Sequence, residues 1–109
     1  MSRDANLDAV FAALADPTRR TLLERLTGGP DTATNLVARL PMSRQAVVKH
    51  LQVLADAGLV TAERHGREVR YAPTPAPLRP AVAWMEATGA AWDRRLARLR
   101  ERMAERSRP

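Results

Sequence analysis

Met42-Ser43-Arg44-Gln45-Ala46-Val47-Val48-Lys49-His50-Leu51-Gln52-Val53-Leu54 is the stretch on which the reading of this chain turns. Val47, Leu51 and Leu54 recur at helical spacing and share one face. Ser43 stands where an N-cap belongs, and Gly58 stands just past the last periodic residue, as a helix stop does. The spacing predicts a helix from Ser43 to Ala57 whose apolar face is buried. Arg44, Gln45, Val48, Lys49 and Gln52 are then turned outward, with His50 at the edge of the core face.

The flanking sequence gives this helix a context. A short helix precedes it, capped by Asp31 or Thr32, apolar at Leu36, Val37 and Leu40, and broken by Pro41. Two short helices joined by a few residues around Pro41-Met42 form a helix-turn-helix. After Gly58 the period changes to two. Leu59 to His65 and Glu68 to Pro73 read as strands, with Gly66-Arg67 as a two-residue turn, glycine first. A hairpin in that place is a wing. Upstream, Leu7, Val10, Phe11 and Leu14 mark a helix over Ala5 to Ala15, and Asp16-Pro17 caps a second helix carrying Leu22, Leu23 and Leu26 up to Gly28-Gly29-Pro30. Pro73, Pro75 and Pro77 stiffen a connector to the longest helix, about Leu78 to Glu105. The fold class predicted is mainly α with a small β-hairpin wing, a winged helix-turn-helix.

The last helix carries Val82, Met85, Trp92, Leu96, Leu99 and Met103 at a mean spacing near 3.5, a seam too long for so small a body to cover. Its natural completion is a second copy of the chain, so Met85, Trp92, Leu96 and Leu99 are candidate dimer-interface residues, with Leu7 and Phe11 of the first helix beside them. The organisation predicted is one domain over residues 1–109, with a DNA-binding core at about 17–73 and dimerisation helices at about 5–15 and 78–105.

The 109 residues are 45% hydrophobic and 28% charged, which suits one globular domain. The net charge is +6, and 17 of the 18 basic residues are arginine, with Lys49 the sole lysine. That balance favours a polyanion, with nucleic acid ahead of an anionic membrane surface. The basic charge is not confined to one region: residues 39–71 carry net +3 and residues 79–109 net +4. The outward face of the Ser43 helix suits major-groove readout. Arg44 and Lys49 can donate to guanine, Gln45 and Gln52 can pair with adenine, Val48 can touch a thymine methyl, and Ser43 with its neighbouring N–H groups can hold a phosphate. An ordinary amphipathic surface helix has a similar polar face; the turn, the wing and the charge together favour DNA.

These features identify a resemblance. Ala13-Leu14-Ala15-Asp16-Pro17-Thr18-Arg19-Arg20, Ser43 to Leu54, Ala57-Gly58-Leu59-Val60, and Gly66-Arg67 to Tyr71 resemble the ArsR-type winged-helix transcriptional regulators over about residues 7–100. The resemblance implies a homodimeric, sequence-specific binder of double-stranded DNA, usually a repressor released by a signal. Its base-reading positions fall on Arg44, Gln45, Val48 and Lys49, and its wing contacts fall on Arg64, Arg67 and Arg70. Many members sense metal through a cysteine pair on the third helix or an Asp/His/His/Glu set on the last. Here Thr34-Asn35-Leu36-Val37-Ala38 holds no cysteine, and the last helix offers Glu86, Asp93, Glu101 and Glu105 without histidine. The reading is therefore of the metal-independent branch, with no metal site and no cofactor, and with any small-molecule effector unspecified.

With no cysteine in the chain, disulfides and thiolate chemistry are excluded. Its two histidines and three serines form no catalytic constellation, and no phosphate loop is present, so the chain is not read as an enzyme. The competing class is a winged-helix adaptor that binds protein, which would have no use for base-reading side chains on the Ser43 helix. The longest apolar runs, such as Val10 to Ala15, are too short to span a membrane, and Met1 to Ala5 lacks a secretory apolar stretch, so the expected location is cytoplasmic.

Overall fold

A computed structural model describes residues 3–106, with side chains from Asn6 onward. In chain order these residues form α1 (Arg3–Leu14), α2 (Pro17–Leu26), β1 (Asp31–Thr32), α3 (Ala33–Val37), α4 (Arg44–Asp56), β2 (Val60–His65), β3 (Glu68–Pro73) and α5 (Leu78–Arg106).

The turn between α1 and α2 is built by one aspartate and two arginines. The Asp16 Oδ1 accepts the N–H groups of Thr18 at 2.8 Å and Arg19 at 3.1 Å, and Pro17 opens the helix where no donor is needed. The Arg19 guanidinium then reaches back to α1, donating from Nε to the Ala13 carbonyl at 2.7 Å and from Nη2 to that of Ala12 at 3.1 Å. Arg20 Nη1 donates to the Leu14 carbonyl at 2.6 Å. Those carbonyls end a helix and have no partner within it. The cations also sit at the negative end of the α1 dipole. Arg25 repeats the arrangement on α3, donating to the Leu36 carbonyl at 3.2 Å.

The apolar faces meet in an aliphatic core. Val47, Leu51 and Leu54 of α4 are at 0% exposure, packed with Val10 and Ala13 of α1, Leu22 and Leu26 of α2, and Leu36 of α3. A left-handed Gly58 (φ +77°) ends α4. Its N–H bonds the Ala55 carbonyl and the Leu59 N–H bonds that of Leu54, while Leu54 and Leu59 are both fully buried, which is the Schellman arrangement with its apolar contact.

The sheet has order β1-β3-β2, antiparallel throughout. Gly66 (φ +65°) supplies the positive φ that a two-residue hairpin turn needs at its first position. The expected hairpin is thus a three-stranded sheet, because Asp31 and Thr32 pair with Tyr71 and Arg70. That tie binds the start of α3 to the wing. Boundaries also move: α1 begins at Arg3 and stops at Leu14 rather than Ala15, α4 stops at Asp56 rather than Ala57, and β2 begins at Val60 rather than Leu59. The third helix is a single turn and a half that stops at Val37, and Leu40 packs on the core from outside it.

Only Ala81 of α5 belongs to the core. Beyond it the helix leaves the body and lengthens the molecule to 75 Å, with Trp92 at 59% and Leu99 at 52% exposure. Trp84 is 50% exposed, with its ring edge-on to Phe11 at 5.6 Å and 68°.

The backbone N–H of Arg19, joined by that of Thr18, His50 and the Arg19 guanidinium, holds the Asp16 carboxyl below its ordinary value against an opposing desolvation effect. A depressed carboxylate stabilises the fold fully above its unfolded value, and that contribution is lost as pH falls through the folded one. Asp16→Asn keeps a capping oxygen and removes the charge. Its thermal midpoint should lie below wild type near neutrality, and the gap should narrow below about pH 4. A gap independent of pH would contradict the assignment.

Candidate nucleic-acid interface

Burial of the Val47/Leu51/Leu54 face sets what α4 presents. Ser43 caps the helix, its Oγ accepting the Ala46 N–H at 3.1 Å. Arg44, Gln45, Lys49 and Gln52 are exposed, as the periodicity predicts. Val48 is half-buried and packs on the edge of the core, so only part of it faces solvent. Two of the outward side chains are held by neighbours. Arg44 donates from Nε to the Thr34 Oγ1 at 3.2 Å, and Gln52 donates to Asp56 at 2.8 Å. His50 is half-buried with Nδ1 3.4 Å from Arg19 Nη1, which ties α4 to α2.

The wing arginines do not act as one group. In the β2–β3 register Arg64 is opposite Val69, and Glu63 is opposite Arg70. Side chains alternate across a strand, so Arg64 shares a face with Val69 and Tyr71 while Arg70 lies on the other face with Glu63. The Arg64 Nε turns to the Gly66 carbonyl at 3.4 Å. Arg70 lies 3.6 Å from Glu68, and His65 lies 3.4 Å from Glu63. Among the described residues, no hydrogen bond or ion pair is recorded for Arg67 or Lys49.

Arg44, Arg67 and Arg70 come together around an open polar cleft of about 490 Å³ between the wing and the start of α3, whose walls include Thr34, Asn35 and Glu68. Helical and strand spacing single out the three cations but not the α3 wall, because no periodicity relates Thr34 to a residue ten positions later. Among the described residues no cluster of three or more His, Asp or Glu groups could hold a metal ion, and no helix is long and apolar enough to cross a membrane.

A short helix, a tight turn, an outward-facing second helix and a sheet-borne wing define a winged helix-turn-helix, and similarity to known proteins agrees. Residues 14–63 match a helix-turn-helix domain family. The chain is 32% identical over 79 residues to the transcriptional repressor SdpR of Bacillus subtilis (strain 168), spanning 72% of this chain and 88% of that one. It superposes on the ArsR-like transcriptional regulator from Rhodococcus sp. RHA1 with a TM-score of 0.73 at 45% identity, covering 89% of this chain and 92% of that one. The homodimeric winged helix-turn-helix DNA-binding domain of Mb0332 from Mycobacterium bovis gives a TM-score of 0.64 at 26% identity, covering 77% and 80%. The chain belongs to the ArsR-type family of winged helix-turn-helix transcriptional regulators.

Proposed function

We propose that this chain is a homodimeric repressor that reads an inverted-repeat operator through α4, with a core of about residues 17–73 on the DNA and terminal helices of about 5–15 and 78–105 joining the copies. The observation that carries this reading is the exposed row Arg44, Gln45 and Lys49 on a helix pinned by its opposite face, beside a wing that adds Arg67 and Arg70 to one cleft. Arg44 and Lys49 would donate to guanine edges, Gln45 and Gln52 would address adenine, and the exposed part of Val48 would meet a thymine methyl. Ser43, Arg67 and Arg70 would hold phosphate or the minor groove. Arg64, on the other face of the wing, would reach the backbone only from that side.

Pairing of copies is supported by α5. Val82, Met85, Trp92, Leu96 and Leu99 are between 44% and 59% exposed along one helix, a continuous apolar surface of the kind that marks an interface. They fall at the two seam positions of a heptad, with Gly89 between Met85 and Trp92 and open space beside it. A second α5 laid antiparallel with Trp92 over Gly89 would also set Met85 against Leu96 and Val82 against Leu99. Leu7 and Phe11, half-buried beside Trp84, would close the edge of that interface. The protein would act in the cytoplasm, without enzymatic activity.

Three outcomes test this reading. Sedimentation should give a dimer at micromolar concentration, with Trp92→Asp shifted toward monomer and weaker on DNA; a wild-type monomer would contradict the pairing. Zinc, cadmium or arsenite should leave the operator complex intact, since the chain has no cysteine and α5 has no histidine; release at micromolar metal would sink that expectation. In titrations at several salt concentrations, Arg44→Ala should cost about 1–3 kcal/mol on the operator and flatten preference at symmetric positions of the two half-sites. Arg67→Ala should weaken binding to operator and scrambled duplex alike and lower the salt slope by about one unit. If Arg44→Ala weakens both duplexes equally, α4 is not the reader.

A further inference from the structure

The hydroxyl of Thr34 is the acceptor for Arg44 Nε at 3.2 Å. The turn that carries it is tied down. Asp31 Oδ1 accepts the Thr32 N–H and the Asn35 side-chain amide, each at 2.8 Å, and Thr32 Oγ1 accepts the Asn35 N–H at 3.2 Å. The same two residues, Asp31 and Thr32, pair with Tyr71 and Arg70 of β3. The first turn of α3 is therefore locked both to itself and to the wing, and Thr34 rides on it.

We propose that Thr34 is a positioning residue for DNA reading, fixing the Arg44 guanidinium so that its Nη1 and Nη2 groups face the base edge end-on. This rests on the assignment of Arg44 as a base reader. A guanidinium has two usable edges: the fork of Nη1 and Nη2, and the side formed by Nε with one Nη. Thr34 occupies Nε and so removes the side edge. What remains is the fork, which matches guanine O6 and N7 as a bidentate pair. With the bond made, Arg44 already borders the wing cleft; without the hydroxyl its Nε is freed, and the guanidinium can turn its side edge to a phosphate there instead of its fork to a base. Arg44 would then contribute charge but little base preference. Thr34 thus converts a general cation into a base-selective one without itself touching the base.

The test uses the full-length protein and duplexes carrying each of the four base pairs at the position whose preference Arg44→Ala flattens. Thr34→Val keeps the shape and removes the acceptor. It should lower the preference for guanine there roughly three- to tenfold. Affinity for scrambled duplex should not fall, and the salt slope should rise by up to about one unit as Arg44 turns from base to phosphate; the thermal midpoint should stay at the wild-type value, since no charge and no buried group changes. Thr34→Ser, which restores a hydroxyl, should restore the preference. Full base preference in Thr34→Val would overturn the proposal, and so would equal weakening on every duplex. If Arg44→Ala flattens one position while Thr34→Val does not, only the role of Thr34 falls. If Arg44→Ala itself shows no base-specific effect, the assignment of Arg44 falls first and the inference with it.

Discussion

Complete burial of Val47, Leu51 and Leu54 is the constraint on which the rest of this molecule depends. Each such side chain contributes about 1.5–3 kcal/mol when withdrawn from water, so rotating α4 about its axis would be prohibitive. With that face committed, Arg44, Gln45, Lys49 and Gln52 have no choice but solvent. The functional surface of the protein is the complement of its core. Neighbouring helices are held in place by arginines of α2 that satisfy terminal carbonyls of α1 and α3, so the framework behind α4 is closed by charge-assisted hydrogen bonds rather than by more apolar area.

The two-residue strand β1 has a consequence out of proportion to its length. It joins the segment that caps α3 to the central strand of the wing, so the helix-turn-helix and the wing are tied by backbone pairing on that side. Arg44 from α4 and Arg67 and Arg70 from the wing thereby border a single cleft. The joined backbone presents these three cations on one side of the molecule, where a ligand carrying a row of phosphates would meet them together.

Much of this was legible in the sequence. The ends of α4 could be read because Ser43 and Gly58 each do one chemically distinct thing, capping and left-handed termination. The hairpin could be read because a glycine-first two-residue turn separates runs of period two. Asp31-Thr32 could not be read as a strand, since two residues carry no period and the same residues also serve as a helix cap. Apolar spacing extends α3 past its true end, because Leu40 is apolar for packing reasons outside the helix. The division of the wing arginines between two faces follows from strand alternation once the register is known, and the register comes from the turn. The Thr34–Arg44 bond is a tertiary contact between exposed side chains, and no local pattern encodes it. The α5 seam was evident from spacing alone, whereas the edge-on contact of Trp84 with Phe11 required the packing of α1 on α5.

An α4 presented twice by a two-fold dimer should read a defined DNA sequence. Selection of bound duplexes from a random pool, using the full chain near physiological salt, tests it most directly. An inverted repeat whose half-sites lie about one helical turn, or a multiple of it, apart should be enriched. Enrichment of a single unrepeated site, or no enrichment over the starting pool, would contradict it.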